Sequence, residues 1–126
     1  MSKFNDLING SVPVLIDFYA DWCAPCHSMS PVVKEIKNDF GDNLKVIKID
    51  IEKNPLVAEK FSVKGVPTFI VYKKGELVWR QAGIIEKSDF SIQLNSIINW
   101  FINDQLEHPL ICYSMKKTIV FFQKHL

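Results

Sequence analysis

Cys23 and Cys26 stand three residues apart with Ala24-Pro25 between them. Before them runs a nearly unbroken apolar, β-branched and aromatic stretch over 12–20, the pattern of a strand buried on both faces. After them Met29, Val33, Ile36 and Phe40 recur at helical spacing until Gly41 stops them. The pair therefore falls where a buried strand passes into a helix, and its spacing puts both sulfurs on one helical face, close enough for a disulfide. First-turn amides have no intrahelical acceptor, and the helix dipole is positive there. Both effects stabilise a thiolate at Cys23, so its pKa is expected below that of a free thiol. Pro25 lacks an N–H that would be unpaired in the first turn anyway, and it stiffens the loop. The chemistry these residues suit is reversible dithiol–disulfide exchange.

Two other uses of the cysteines stay open. His108 and Cys112 have ligand-like spacing, so Cys23, Cys26, His108 and Cys112 could hold a structural zinc, provided the C-terminal tail docks on the pair. Alternatively both cysteines are inert packing residues, since buried free cysteine is common. Cys112 is the odd thiol: a spectator, a third redox group or a source of intermolecular disulfides.

The rest of the composition confines function to a small local site. The chain has 126 residues, 48% apolar and 23% charged, which is one ordinary globular domain with a real core. A net charge of +1 offers no footprint for nucleic acid or an anionic membrane. Three cysteines are too few for a disulfide scaffold. The best apolar run contains Asp17 and falls far short of the ~20 residues a membrane span needs. Phe4, Leu7 and Ile8 are interleaved with Asn5, Asp6 and Asn9, so no signal-peptide core is present. A cytoplasmic location, where thiols stay reduced, is expected. Asn9-Gly10-Ser11 fits a glycosylation sequon but reads more simply as a turn.

The elements that must position the pair follow from periodicity. Phe4, Leu7 and Ile8 mark a short first helix, followed by the 12–20 strand and a helix over 23–40. A second strand covers 44–51, and Asn54-Pro55 opens a helix reaching Phe61, with Asn54 as its N-cap. Strands over 68–73 and 76–81 flank Lys74-Gly75 as a hairpin. Phe90, Leu94, Ile97, Ile98 and Phe101 mark a last helix over 88–102. Strands joined through helices run parallel and the hairpin is antiparallel, so the expected class is α/β: a mixed sheet with helices on both faces. Residues 1–106 form that domain; 107–126 are a tail of uncertain structure.

The segments 17–26 (Asp-Phe-Tyr-Ala-Asp-Trp-Cys-Ala-Pro-Cys), Pro31, 65–68 (Gly-Val-Pro-Thr), Gly75 and Gly83 together closely resemble the thioredoxin family, over most of the chain. The resemblance implies the thioredoxin fold and a protein-disulfide reductase that needs no cofactor of its own. It implies that Cys23 attacks a target disulfide and Cys26 resolves the mixed disulfide; a depressed pKa of the first cysteine is a known property of that family. Cys23 is expected to be the more exposed thiol and Cys26 the shielded one. Asp17, in the central strand, is expected to have a raised pKa and to accept the Cys26 proton. Lys48 is the partner the resemblance places near it. Val66-Pro67 corresponds to the family's cis-proline loop, which leaves Val66's backbone to pair with an extended substrate. Trp22, Ala24, Pro25, Ala82 and Gly83 are expected to frame a flat apolar docking surface, and Pro31 to kink the active-site helix. The implied partners are protein disulfides and an NADPH-dependent flavoprotein thioredoxin reductase; nucleic acid and membrane are not among them.

The chain departs from the family in three places. Ala24-Pro25 replaces the usual Gly-Pro, and His27 stands where lysine is common. Relatives that act as oxidases or isomerases usually carry histidine before the second cysteine, and Pro25 is there instead. An oxidase, an isomerase, or a binding module with an incidental dithiol are the competing functions. The first strand usual in the family is missing from the start, and Lys-Thr-Ile-Val-Phe-Phe over 117–122 has the β character to replace it.

Overall fold

The computed structural model describes residues 2–105; the tail over 107–126, with His108, Cys112 and the strand expected over 117–122, lies outside them. The described elements are α1 (Ser2–Ile8), β1 (Val14–Tyr19), α2 (Ala24–Phe40), β2 (Lys45–Asp50), α3 (Pro55–Lys60), β3 (Thr68–Lys73), β4 (Glu76–Ala82) and α4 (Lys87–Gln105), with a single 3₁₀ turn at Gly41–Asn43. Within the described residues each expected element is present, with ends unchanged or moved by up to three residues.

The four strands lie in the order β2-β1-β3-β4. β1 pairs parallel with β2, in the register Asp17↔Lys48, and antiparallel with β3, in the register Asp17↔Phe69. As the central strand β1 is buried almost throughout, which is why its sequence shows no polar alternation apart from Asp17. The side chains of Val14, Ile16 and Phe18 share one face with Ile49 and Ile70, and α1 and the end of α3 cover it with Phe4, Leu7, Ile8 and Phe61. Leu15, Asp17, Phe69 and Val71 are buried on the opposite face. The β1-α2-β2 crossover lays α2 there, with Met29, Val33 and Ile36 buried.

Phe61 is the hub of the first face. Its ring meets Phe4 edge-on at 5.5 Å, Tyr72 edge-on at 5.4 Å and Phe18 at 5.8 Å, joining α1, β1 and β3. The β3–β4 turn uses Lys74 and Gly75 at φ 51° and 78°, the left-handed pair that a two-residue hairpin requires. The amides of Lys74 and Gly75 donate to the carbonyls of Gly10 and Ile8, so the end of α1 holds this turn. Asn54 does not cap α3 with its side chain as expected. Its amide donates to the Asp50 carbonyl instead, while Asp50 Oδ1 accepts from the amides of Glu52 and Lys53. The Asp50 carboxylate thus organises the entry to α3, a role that Asn54-Pro55 conceals in the sequence.

By internal contacts the chain divides into a unit of Met1–Lys87 and a second unit beginning at Ser88. The first holds the whole sheet. In the second, α4 has Phe90, Leu94, Ile97 and Ile98 of the expected amphipathic set buried; the side chain of Phe101 lies outside those described. Among the described residues no helix is long and apolar enough to cross a membrane.

Replacing the hub ring removes three aromatic contacts at once. Phe61→Ala is expected to lower stability by about 3–5 kcal/mol, read by urea unfolding. A loss below about 1 kcal/mol would show that α1 and α3 are held by something else.

Candidate active site

The site begins where β1 ends. Cys23 is the N-cap of α2, with extended φ and ψ of −86° and 106°, and its amide donates to the Ala20 carbonyl at 3.1 Å. Pro25 occupies the first turn, as expected. Cys23 and Cys26 form a disulfide with Cα atoms 5.3 Å apart. The Cys26 amide points at Cys23 Sγ from 3.2 Å. That contact is the direct form of helix-end stabilisation: a first-turn donor with no backbone acceptor aimed at sulfur. When the bond is reduced, the same donor and dipole favour a thiolate on Cys23 over one on Cys26.

Exposure does not distinguish the two as expected. Cys23 is 3% exposed and Cys26 8%, so Cys23 is not the more open residue in the oxidised pair. Both pack among Tyr19, Ala20, Ile51 and Val66. Hydrogen bonding and helix position, rather than exposure, set Cys23 apart.

The Val66–Pro67 peptide is cis, and the Val66 carbonyl lies 3.6 Å from Cys23 Sγ. The loop is pinned locally. Thr68 Oγ1 donates to the Gly65 carbonyl at 2.6 Å, and the Gly83 amide donates to the Pro67 carbonyl at 2.9 Å. Gly83 has φ 88°, which a side chain would strain.

Trp22 is 66% exposed, so it belongs to the surface and not the core. Its indole N–H donates to Glu52 Oε1 at 2.6 Å, which holds the ring in place. Ala24, Pro25 and Ala82 are also exposed and Gly83 is half-buried. Ile84, 60% exposed beside Gly83, extends this apolar set and was missed by the sequence reading, as was Glu52. A glutamate in a loop and an isoleucine after a glycine carry no pattern that marks them. His27 Nε2 lies 2.7 Å from the Asp21 carbonyl; a carbonyl only accepts, so this nitrogen carries the proton.

Asp17 is 4% exposed and lies on the same strand face as Tyr19. Burial raises its pKa from 3.8 to about 6, and the charge of Lys48 opposes part of that rise. Lys48 sits directly across in the parallel register, with Nζ 4.9 Å from the Tyr19 ring centroid. Asp17 and Lys48 are thus brought together, the lysine at the surface and the carboxyl beneath.

A disulfide at a helix start beside a cis-proline loop on a mixed sheet narrows the family sharply, and a sequence model decides it: the thioredoxin model matches residues 1–96. The chain belongs to the thioredoxin family. It has the thioredoxin fold and is a thiol-disulfide oxidoreductase. Thioredoxin from Pyropia yezoensis is 39% identical over 94 residues, which are 75% of this chain and 88% of that protein. Chloroplastic thioredoxin Y of Oryza sativa subsp. japonica is 38% identical over 98 residues, 77% of this chain and 58% of its own. A mutant thioredoxin from Halobacterium salinarum NRC-1 superposes with a TM-score of 0.69 at 32% identity, covering 76% of this chain and 83% of its own.

The raised pKa of Asp17 has a stability consequence with a definite sign. Between pH 3.8 and about 6 the folded chain binds the Asp17 proton more tightly than the unfolded chain, so stability falls as pH rises through that window. Asp17→Asn is therefore expected to be more stable than the parent at pH 7, by about 3 kcal/mol at most. The advantage disappears below pH ~4, where both side chains are neutral. Urea unfolding at the two pH values checks it; equal stability at pH 7 would contradict the burial account.

Proposed function

We propose that the chain is a protein-disulfide reductase of a reducing compartment, the cytoplasm, recycled by an NADPH-dependent flavoprotein thioredoxin reductase. The observation that carries this reading is the Cys26 amide aimed at Cys23 Sγ, beside the cis Val66-Pro67 loop. A family dithiol with an activated first sulfur is a nucleophile toward disulfides, and Pro25 between the cysteines is the feature of its reducing members. Cys23, Cys26, Asp17 and Lys48 do the chemistry; Trp22, Ala24, Pro25, Val66, Pro67 and Gly83 dock the substrate.

In the reaction Cys23 thiolate attacks one sulfur of a target disulfide. The target S–S bond breaks, its other sulfur leaves as a thiolate, and a Cys23–target disulfide forms. Asp17 then takes the Cys26 proton, directly or through water, and Cys26 attacks Cys23 Sγ. The second target thiolate leaves, and Cys23–Cys26 is oxidised. Two electrons have passed to the target, and the reductase restores them from NADPH. Lys48 keeps Asp17 ionisable near neutral pH, against the burial that would hold it protonated.

The direct test is insulin reduction driven by NADPH and a thioredoxin reductase. Turnover supports the proposal, and a chain that never turns over although its dithiol is reduced contradicts it. Cys26→Ser is expected to accumulate targets as mixed disulfides on Cys23, visible on non-reducing gels. Asp17→Asn is expected to slow resolution by roughly 100-fold or more. It should also remove an inflection near pH 6 from the rate of that step. An unchanged pH profile would remove Asp17 from the mechanism.

A further inference from the structure

Arg80 is the only arginine in the sequence; every other member of the fifteen basic residues is lysine. It lies on β4, and its guanidinium is used as a fork. Nη1 donates to the Phe61 carbonyl at 2.6 Å and Nη2 to the Ser62 carbonyl at 2.7 Å. An ammonium group cannot reproduce that planar two-point grip, which gives a physical reason for arginine at this one position.

The gripped carbonyls lie at the root of the docking loop. Phe61 is the C-cap of α3, its ring fixed in the core. Ser62 follows with φ 55°, a left-handed conformation that costs a non-glycine residue of order 1 kcal/mol or more. Its amide donates to the Glu59 carbonyl, and the Val63 amide returns to the Ala58 carbonyl. From this bend the chain runs four residues to Val66, whose carbonyl faces Cys23 Sγ. Gly83, the residue directly after β4, holds the far end through its amide on the Pro67 carbonyl. β4 and the residue that follows it therefore hold the cis-proline loop at both ends.

We propose that Arg80 is a positioning residue for substrate docking: its fork holds the strained Ser62 bend and so sets the place of Val66–Pro67 beside Cys23. Arg80 touches no reacting atom. Without the fork, Ser62 relaxes toward negative φ and Val66 shifts against the cysteines. An extended protein substrate loses its backbone partner, while a small disulfide that needs only the dithiol is unaffected. The inference rests on the reading that protein disulfides are the substrates.

The test compares the parent chain, R80K and R80A with dithiothreitol as the recycling reductant, which removes any dependence on a partner enzyme. Insulin is the first substrate; the second, the small aromatic disulfide dithiobis-nitrobenzoate, is reduced in a single turnover by pre-reduced chain freed of dithiothreitol, which would otherwise reduce it directly. R80K is expected to raise the insulin KM about tenfold, the scale of one charge-assisted hydrogen bond lost. Its insulin kcat and its rate with the small disulfide are expected to stay within about twofold of the parent. Millimolar guanidinium is expected to lower the insulin KM of R80A and not that of the parent. An insulin KM unchanged in both variants would overturn the proposal, as would equal losses with the two substrates that follow lost thermal stability. Failure of the parent chain itself to reduce insulin would instead count against the proposed function.

Discussion

One contact organises the molecule's chemistry: a backbone N–H at the start of α2 aimed at a sulfur. The Cys26 amide reaches Cys23 Sγ because Cys23 takes the N-cap position and α2 begins directly after it. That geometry demands a strand ending at a fixed point and a helix starting within a few residues of it. The central, doubly buried β1 provides the first condition. Pro25, which has no N–H to waste and a backbone angle already suited to a helix, helps provide the second. Move the helix start by one residue and the donor no longer faces the nucleophile.

The remaining parts serve this contact from different distances. The cis Val66–Pro67 segment has a backbone carbonyl beside the same sulfur. Trp22, tied to Glu52, and the exposed residues around it supply an apolar rim without covering the sulfurs themselves. Asp17 is a buried carboxyl whose affinity for a proton is set by two opposed effects, burial and Lys48. That tuning has a cost in folding, since a carboxylate under the sheet surface is expensive to ionise. A buried acid in an otherwise apolar strand is a local violation of good core design, and such violations concentrate at functional sites.

Much of this was legible in the sequence, and the reason is that the legible parts are local. Strand, cysteine pair and helix occupy one continuous segment, so periodicity and capping rules read them directly. Lys74-Gly75 declares its turn because few residues tolerate positive φ. Asp17 stands out as the one acid in an apolar run. What stayed hidden depends on contacts between distant segments. Glu52 reaches Trp22 across 30 residues and Arg80 reaches Phe61 across 19, and neither leaves a periodic trace. Relative exposure of the two cysteines was misread for the same reason. It depends on how Tyr19, Ile51 and Val66 close over the pair, which no short stretch of sequence encodes. Asn54 stands at the N-cap position as its sequence context suggests, but its side chain turns back to the Asp50 carbonyl rather than to the first-turn amides, a contact no local pattern marks.

The claim on which the account stands is that Cys23 is a better thiolate than an ordinary cysteine because of where it sits. A pH titration of the reduced chain, following alkylation of Cys23 by iodoacetamide with Cys26→Ser as control, measures it directly. The account predicts a midpoint clearly below the ~8.5 of a free thiol. A midpoint at or above that value, in protein whose two cysteines still form and break their disulfide, would contradict it.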